Sequence, residues 1–124
     1  EAHVDAGDEV LLPDPYWSNY HGHVANTGAD LVTVPTAAAE DFVPSPEAIA
    51  ERITDDTAGI ILNTPNNPTG AVVPPSTLRE IGELLVEHVF QYLLKNLDAL
   101  PRLKVQLSLV DLDLFVFSEV SLVI

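Results

Sequence analysis

An α/β fold, a partial and mostly parallel sheet with flanking helices, is the architecture this sequence predicts. Three observations carry that expectation. Strand-like and helix-like segments alternate through the first 88 residues, the pattern of a parallel sheet with helices packed on it. Residues 58–62 (Ala-Gly-Ile-Ile-Leu) are almost wholly apolar, as expected of a strand buried on both faces. The run Asn63-Thr64-Pro65-Asn66-Asn67-Pro68-Thr69-Gly70 follows that strand directly, where open α/β sheets place their ligands.

The elements follow in order. Residues 9–12 read as a short strand entered through the Gly7-Asp8 turn. Residues 16–26 read as a helix closed by Gly28, which suits a left-handed C-terminal position. Residues 31–34 form a second strand stopped by Pro35, and residues 36–44 a loop. Ser45-Pro46-Glu47 opens a helix running to about residue 53: a hydroxyl cap, a proline in the first turn, then an acid on the positive helix end. After the strand at 58–62, Thr77 and Glu80 have the spacing of a capping box for a helix through about residue 87. Its apolar positions Leu78, Ile81, Leu84 and Leu85 share one face. Residues 90–97 read as another helix, and 103–110 and 112–124 as strand-like runs with Asp111 at a turn between them. An apolar hairpin of that kind, left without a partner, exposes an aggregation-prone edge.

Charge narrows the partners. The 124 residues carry a formal net charge of −14. Binding to nucleic acid or an anionic membrane requires basic side chains, so both are excluded as partners. The acids are scattered and not gathered in a tail, which points to solubility in high salt, a halophilic adaptation, over an acidic partner-binding surface. The chain has no cysteine, no signal-peptide pattern and no apolar run of membrane-spanning length, and a cytoplasmic location is expected. Composition shifts abruptly at residue 88. Residues 1–88 hold 15 acidic and 2 basic residues with every glycine and histidine; residues 89–124 hold 4 acidic and 3 basic residues in a Leu/Val-rich stretch.

Asp14-Pro15-Tyr16-Trp17-Ser18-Asn19-Tyr20 follows the first strand, and the Asn63–Gly70 run follows the third. At this spacing, with landmarks at Gly28-Ala29 and Phe42-Val43-Pro44, residues 7–88 resemble the fold-type-I aminotransferases, the class I/II, aspartate aminotransferase-like family that uses pyridoxal 5′-phosphate. The resemblance implies a fragment of that family's large cofactor-binding domain. It implies amino-group transfer between an amino acid and a 2-oxo acid, in a parent enzyme that is a homodimer. It implies two cofactor-binding residues. Trp17 would stack its indole on the cofactor ring, and Asn67 would donate its amide to the ring oxygen. Pro68 would hold Asn67 in place through an X–Pro bond that adopts the cis form at low cost. Asn63 and Asn66 are expected to cap and brace the loop.

Other residues carry less. His21 and His23, two apart, do not share a helix face, and no third ligand stands near them, so no metal site is expected. Glu40-Asp41 and Asp55-Asp56 sit in polar turns as solvated charge. No catalytic residue is assigned. The family's chemistry needs a Schiff-base lysine and an acid at the pyridinium nitrogen. Lys95 stands in a helical context and Lys104 in a strand context, and neither matches. Ser118 occupies the acid's place in a faint echo at 117–120, and no glycine-rich phosphate turn precedes Gly7. The chain as given is therefore expected not to catalyse transamination. Residues 89–124 are either out-of-frame sequence after a frameshift near His88, or the packing surface of a non-enzymatic, aminotransferase-derived binding or dimerisation module.

Overall fold

The computed structural model describes residues 4–95, 106–107 and 118–123. Nine elements occur among them. Strand β1 (Glu9–Asp14) leads to helix α1 (Asn19–Ala25), strand β2 (Asp30–Pro35) and a 3₁₀ turn (Ala38–Glu40). Helix α2 (Pro46–Ala50), strand β3 (Thr57–Thr64) and helix α3 (Pro75–Lys95) follow, then strands β4 (Gln106–Leu107) and β5 (Ser118–Val123).

The strands form one sheet in the order β2-β1-β3-β5-β4. β1 lies between β2 and β3 and is parallel to both, with Leu11 opposite Val32 on one side and Ile60 on the other. This is the expected parallel sheet. β5 adds to the free edge of β3 in antiparallel sense, Thr64 opposite Ser118 and Gly59 opposite Val123, and β4 pairs antiparallel with β5. The strand-like runs near the end of the chain thus meet as an antiparallel pair, and their backbone closes the β3 edge. The proposed turn at Asp111 lies outside the described residues.

Side chains alternate between two cores, as the pleat requires. Leu11, Val34, Ile60 and Leu62 face Ile49 of α2 and Ile81 and Leu85 of α3. Val10, with Leu31 and Ile61 beside it, faces Val24 of α1 and Ala29. The sheet is therefore sandwiched, with α2 and α3 on one face and α1 on the other. Burial on both faces explains why β1 and β3 are apolar runs without clean alternation.

Three helix boundaries differ from the sequence reading. α1 starts at Asn19, because Tyr16 and Trp17 are drawn into the loop; the amide of Tyr20 bonds the Trp17 carbonyl at 3.0 Å in a tight i→i+3 turn. α2 ends at Ala50, capped by Glu51, and Ile53 only packs against the core. α3 begins at Pro75, so Thr77 lies inside its first turn and forms no cap; the Leu78 amide bonds the Pro74 carbonyl at 3.0 Å. Proline suits that first position because its missing N–H would have no partner there. α3 then runs unbroken for 21 residues, where two helices were expected. No glycine or proline interrupts residues 83–95, so nothing stops it at Glu87.

The α2 start is as read. The Ser45 hydroxyl accepts from the Ala48 amide at 3.1 Å, with Pro46 and Glu47 in the first turn. Gly28 closes α1 at φ +81, and a β-carbon there would sit 3.0 Å from that of Ala6. Left-handed backbone and lack of space together demand glycine.

Candidate cofactor site at the carboxyl ends of β1 and β3

Because β1 and β3 are adjacent and parallel, the loops leaving them emerge side by side. The first carries Pro15, Tyr16 and Trp17, and the second carries Pro65 to Gly70. Cis peptide bonds precede Pro15, Pro65 and Pro68. The second loop is closed on itself: the Asn66 amide donates to the Ala71 carbonyl at 2.8 Å, and the Gly70 amide to the Asn66 carbonyl at 2.8 Å. Gly70 takes φ +74, which lets the chain double back. Thr64 Oγ1 accepts from the Val73 amide at 3.0 Å and ties the loop's exit to the end of its strand.

A side-chain bond joins the two loops. Asn66 Nδ2 donates to the Pro15 carbonyl oxygen at 3.0 Å and to Thr69 Oγ1 at 2.7 Å. β2 supports the first loop from its other side, where Thr36 Oγ1 donates to the Asp14 carbonyl oxygen at 2.7 Å. Asn66 therefore braces, as the sequence suggested. Asn63 does not: it is half-buried, and among the described residues its side chain has no hydrogen-bond partner.

The two residues singled out for cofactor binding both reach solvent at this end of the sheet. Trp17 is 42 % exposed despite its size. Asn67 is exposed, and among the described residues its amide has no partner. Trp17 meets Tyr20 edge-to-face at 5.7 Å between ring centroids and His23 at 6.5 Å, and Tyr20 and His23 meet at 6.4 Å. The sequence reading treated His23 as plain surface and missed this cluster. Its signal was the spacing of positions 17, 20 and 23, one residue per helical turn.

Two hollows adjoin the loops. A narrow cleft of about 20 Å³ is lined by Pro15, Tyr20, Phe42, Pro44, Asn63 and Asn66 among others. It has room for about one water, so an aromatic ring would lie over the loops and not in the cleft. A shallow groove of about 420 Å³ runs between Asp41-Phe42 and Thr69-Gly70. Asp41 and Phe42 hold left-handed backbone at φ 52 and φ 57, which costs an L-residue roughly 1–2 kcal/mol each. Neither hollow is lined by Trp17 or Asn67.

Lys95 lies elsewhere. Its Nζ is 3.2 Å from Asp55 Oδ1, in the loop that enters β3. That is the opposite end of the strand from Asn67, and a strand of 8 residues spans about 23 Å at roughly 3.3 Å per step. Lys95 does not belong to this site. Lys104 lies outside the described residues.

An α/β sheet with two loops clasped at the carboxyl ends of neighbouring parallel strands belongs to the open-sheet class, the architecture that places ligands at those strand ends. Within that class the chain belongs to the aminotransferase class I and II family, whose model matches residues 2–94. The match extends beyond residue 88, where the resemblance read from the sequence stopped. The aspartate/prephenate aminotransferase of Thermus thermophilus is 44% identical over 90 residues, covering 73% of this chain and 23% of that protein. The aspartate aminotransferase of Bacillus subtilis is 38% identical over 85 residues, covering 68% of this chain and 22% of that protein. Among solved structures, aspartate aminotransferase from Thermus thermophilus with maleate superposes at a TM-score of 0.67 and 45% identity, over 68% of this chain and 22% of that one. The chain thus spans about a quarter of the length of the relatives it matches.

Proposed function

We propose that this chain supplies one wall of a pyridoxal 5′-phosphate site, as part of an aminotransferase acting on amino acids and 2-oxo acids. One observation carries the reading. Two loops of separate origin in the sequence are joined at the Asn66–Pro15 bond, and they bring to the same sheet end an exposed indole and an amide with no partner among the described residues. These residues fit the group. Trp17 offers an apolar face to a flat, electron-poor ring. Asn67 offers a donor to an ionised ring oxygen, a hydrogen bond that favours the charged form. Bound there, the cofactor would supply an electron sink.

Asn67 and Trp17 hold and orient; neither moves a proton. The lysine that would bond the cofactor covalently is not Lys95, which is occupied at the far end of β3. We therefore infer that the chain by itself does not transaminate, and that its contribution to holding the cofactor runs through Trp17 and Asn67. Trp17 is the sole tryptophan, so its emission reports directly on the site. Pyridoxamine 5′-phosphate, which has no aldehyde to react with surface amines, should quench that emission saturably. Asn67→Ala should weaken binding by roughly tenfold or more, the cost of one hydrogen bond to a charged group. Emission that never saturates, or affinity indifferent to Asn67→Ala, would overturn the reading.

The reading as a non-enzymatic dimerisation module draws on a different face. Val86, Phe90 and Leu94, four residues apart on α3, are all more than half exposed. The remainder of an aminotransferase chain is the competing explanation for that apolar stripe. A defined dimer in sedimentation equilibrium, with no affinity for pyridoxamine 5′-phosphate, would favour the module.

A further inference from the structure

Asn66 stands next to the residue assigned to the cofactor, and its side chain bonds within and between the two loops. Its side-chain nitrogen donates to the Pro15 carbonyl oxygen, 51 residues away in sequence, and to Thr69 Oγ1. A neutral amide has two such protons, and both are used. Its backbone is pinned as well, N–H to Ala71 and carbonyl from Gly70, each at 2.8 Å. The strut is thus anchored at its root and fixed in plane at its tip.

Little else couples the two loops. Among the described residues, the Asn66–Pro15 bond is the only hydrogen bond between segments 15–18 and 65–70. Trp17, Pro65, Asn67, Pro68 and Gly70 are all exposed, so packing holds these loops weakly. Segments with few buried contacts open at low free energy, and one well-placed bond then decides their mutual position.

We propose that Asn66 is a positioning residue that locks the Trp17 loop to the Asn67 turn, so that the ring platform and the amide donor move as one body. The purpose of the lock rests on the cofactor reading above, but its geometry does not. Asparagine is specifically suited. Aspartate has the same shape but no proton to give, and it would set a carboxylate against the Pro15 carbonyl.

Three measurements on the full 124-residue chain test the lock. In the unaltered protein, NMR should show the Asn66 side-chain amide exchanging with water more slowly than that of Asn67. In Asn66→Asp, the fluorescence anisotropy of Trp17 should fall well below the melting transition, while Asn67→Ala leaves it at the starting value. Affinity for pyridoxamine 5′-phosphate should drop roughly tenfold in Asn66→Asp. A merely structural Asn66 would lower the melting temperature and leave the anisotropy of the still-folded chain alone. Equal exchange at the two amides, or unchanged anisotropy in folded Asn66→Asp, overturns the proposal. Should Asn66→Asp not fold, the exchange comparison in the unaltered chain decides. If the unaltered chain does not bind pyridoxamine 5′-phosphate but anisotropy still falls in Asn66→Asp, the cofactor reading fails and the lock stands.

Discussion

Asn66 and Asn67 are neighbours of one chemical type with opposite fates. Asn66 is half-buried with its amide saturated, and Asn67 is exposed, with no partner for its amide among the described residues. No property of the residue type separates them; the turn's geometry does. His88 gives a similar lesson in electrostatics. Partial burial on α3 pushes its pKa below the ordinary 6.5, Asp55 opposes that shift, and Lys95 reinforces it. A lowered folded-state pKa means the unfolded chain binds the proton more readily. Stability from His88 is thus full above pH 6.5 and is lost as pH falls through its folded pKa. Chemical denaturation at a series of pH values should show stability decreasing on acidification below about pH 6.5, with a shallower slope in His88→Gln. An identical slope in that variant would remove His88 from the account.

At the scale of the element, helix starts separate two signals that look alike in sequence. Ser45 and Thr77 each stand where a hydroxyl could cap a helix, but only Ser45 does so, through the Ala48 amide. Thr77 lies inside α3 because Pro75 already serves as a first-turn residue. Ser45→Ala should cost about 1 kcal/mol in urea denaturation. Thr77→Ala should stay within about 0.5 kcal/mol, since it removes no cap. Equal losses would mean that Thr77 caps α3 as Ser45 caps α2. α3 also crosses the composition shift at residue 88 without a break. Helical continuity depends on the absence of breakers over a few turns, and net charge does not enter it.

For the whole molecule, charge and sheet edge dominate. A net charge of −14 spread over so small a domain repels itself. Ion pairing relieves little of this: among the described residues the salt bridges are Arg52–Glu51 and Lys95–Asp55, and the acid of each is exposed. Screening lengths shrink from about 30 Å at 0.01 M to 3 Å at 1 M salt. The melting temperature should therefore rise as potassium chloride is raised over that range, and more steeply than in a variant with several surface acids changed to glutamine or asparagine. A melting temperature indifferent to salt would dismiss the halophilic reading. The mixed sheet belongs to this scale too. Three parallel strands carry the two loops, and β5 covers the edge of β3.

The sequence determined the parallel three-strand unit, the two loops and the family, because those signals are local. Buried strands are apolar runs, caps are short patterns, and Asn-Pro-Thr-Gly after a strand is a turn wherever it occurs. It also singled out Trp17 and Asn67 in advance, though only through resemblance. What tertiary structure decided was everything that depends on residues distant in the chain. The Asn66 bond to Pro15 exists because β1 and β3 are neighbours, and no spacing rule encodes a contact 51 residues apart. Lys95 was set aside for its helical context, but the reason it cannot serve this site is positional: Asp55 and Asn67 lie at opposite ends of one strand. The antiparallel placement of β5 was equally hidden, because pairing is a choice between edges that the strand itself does not record.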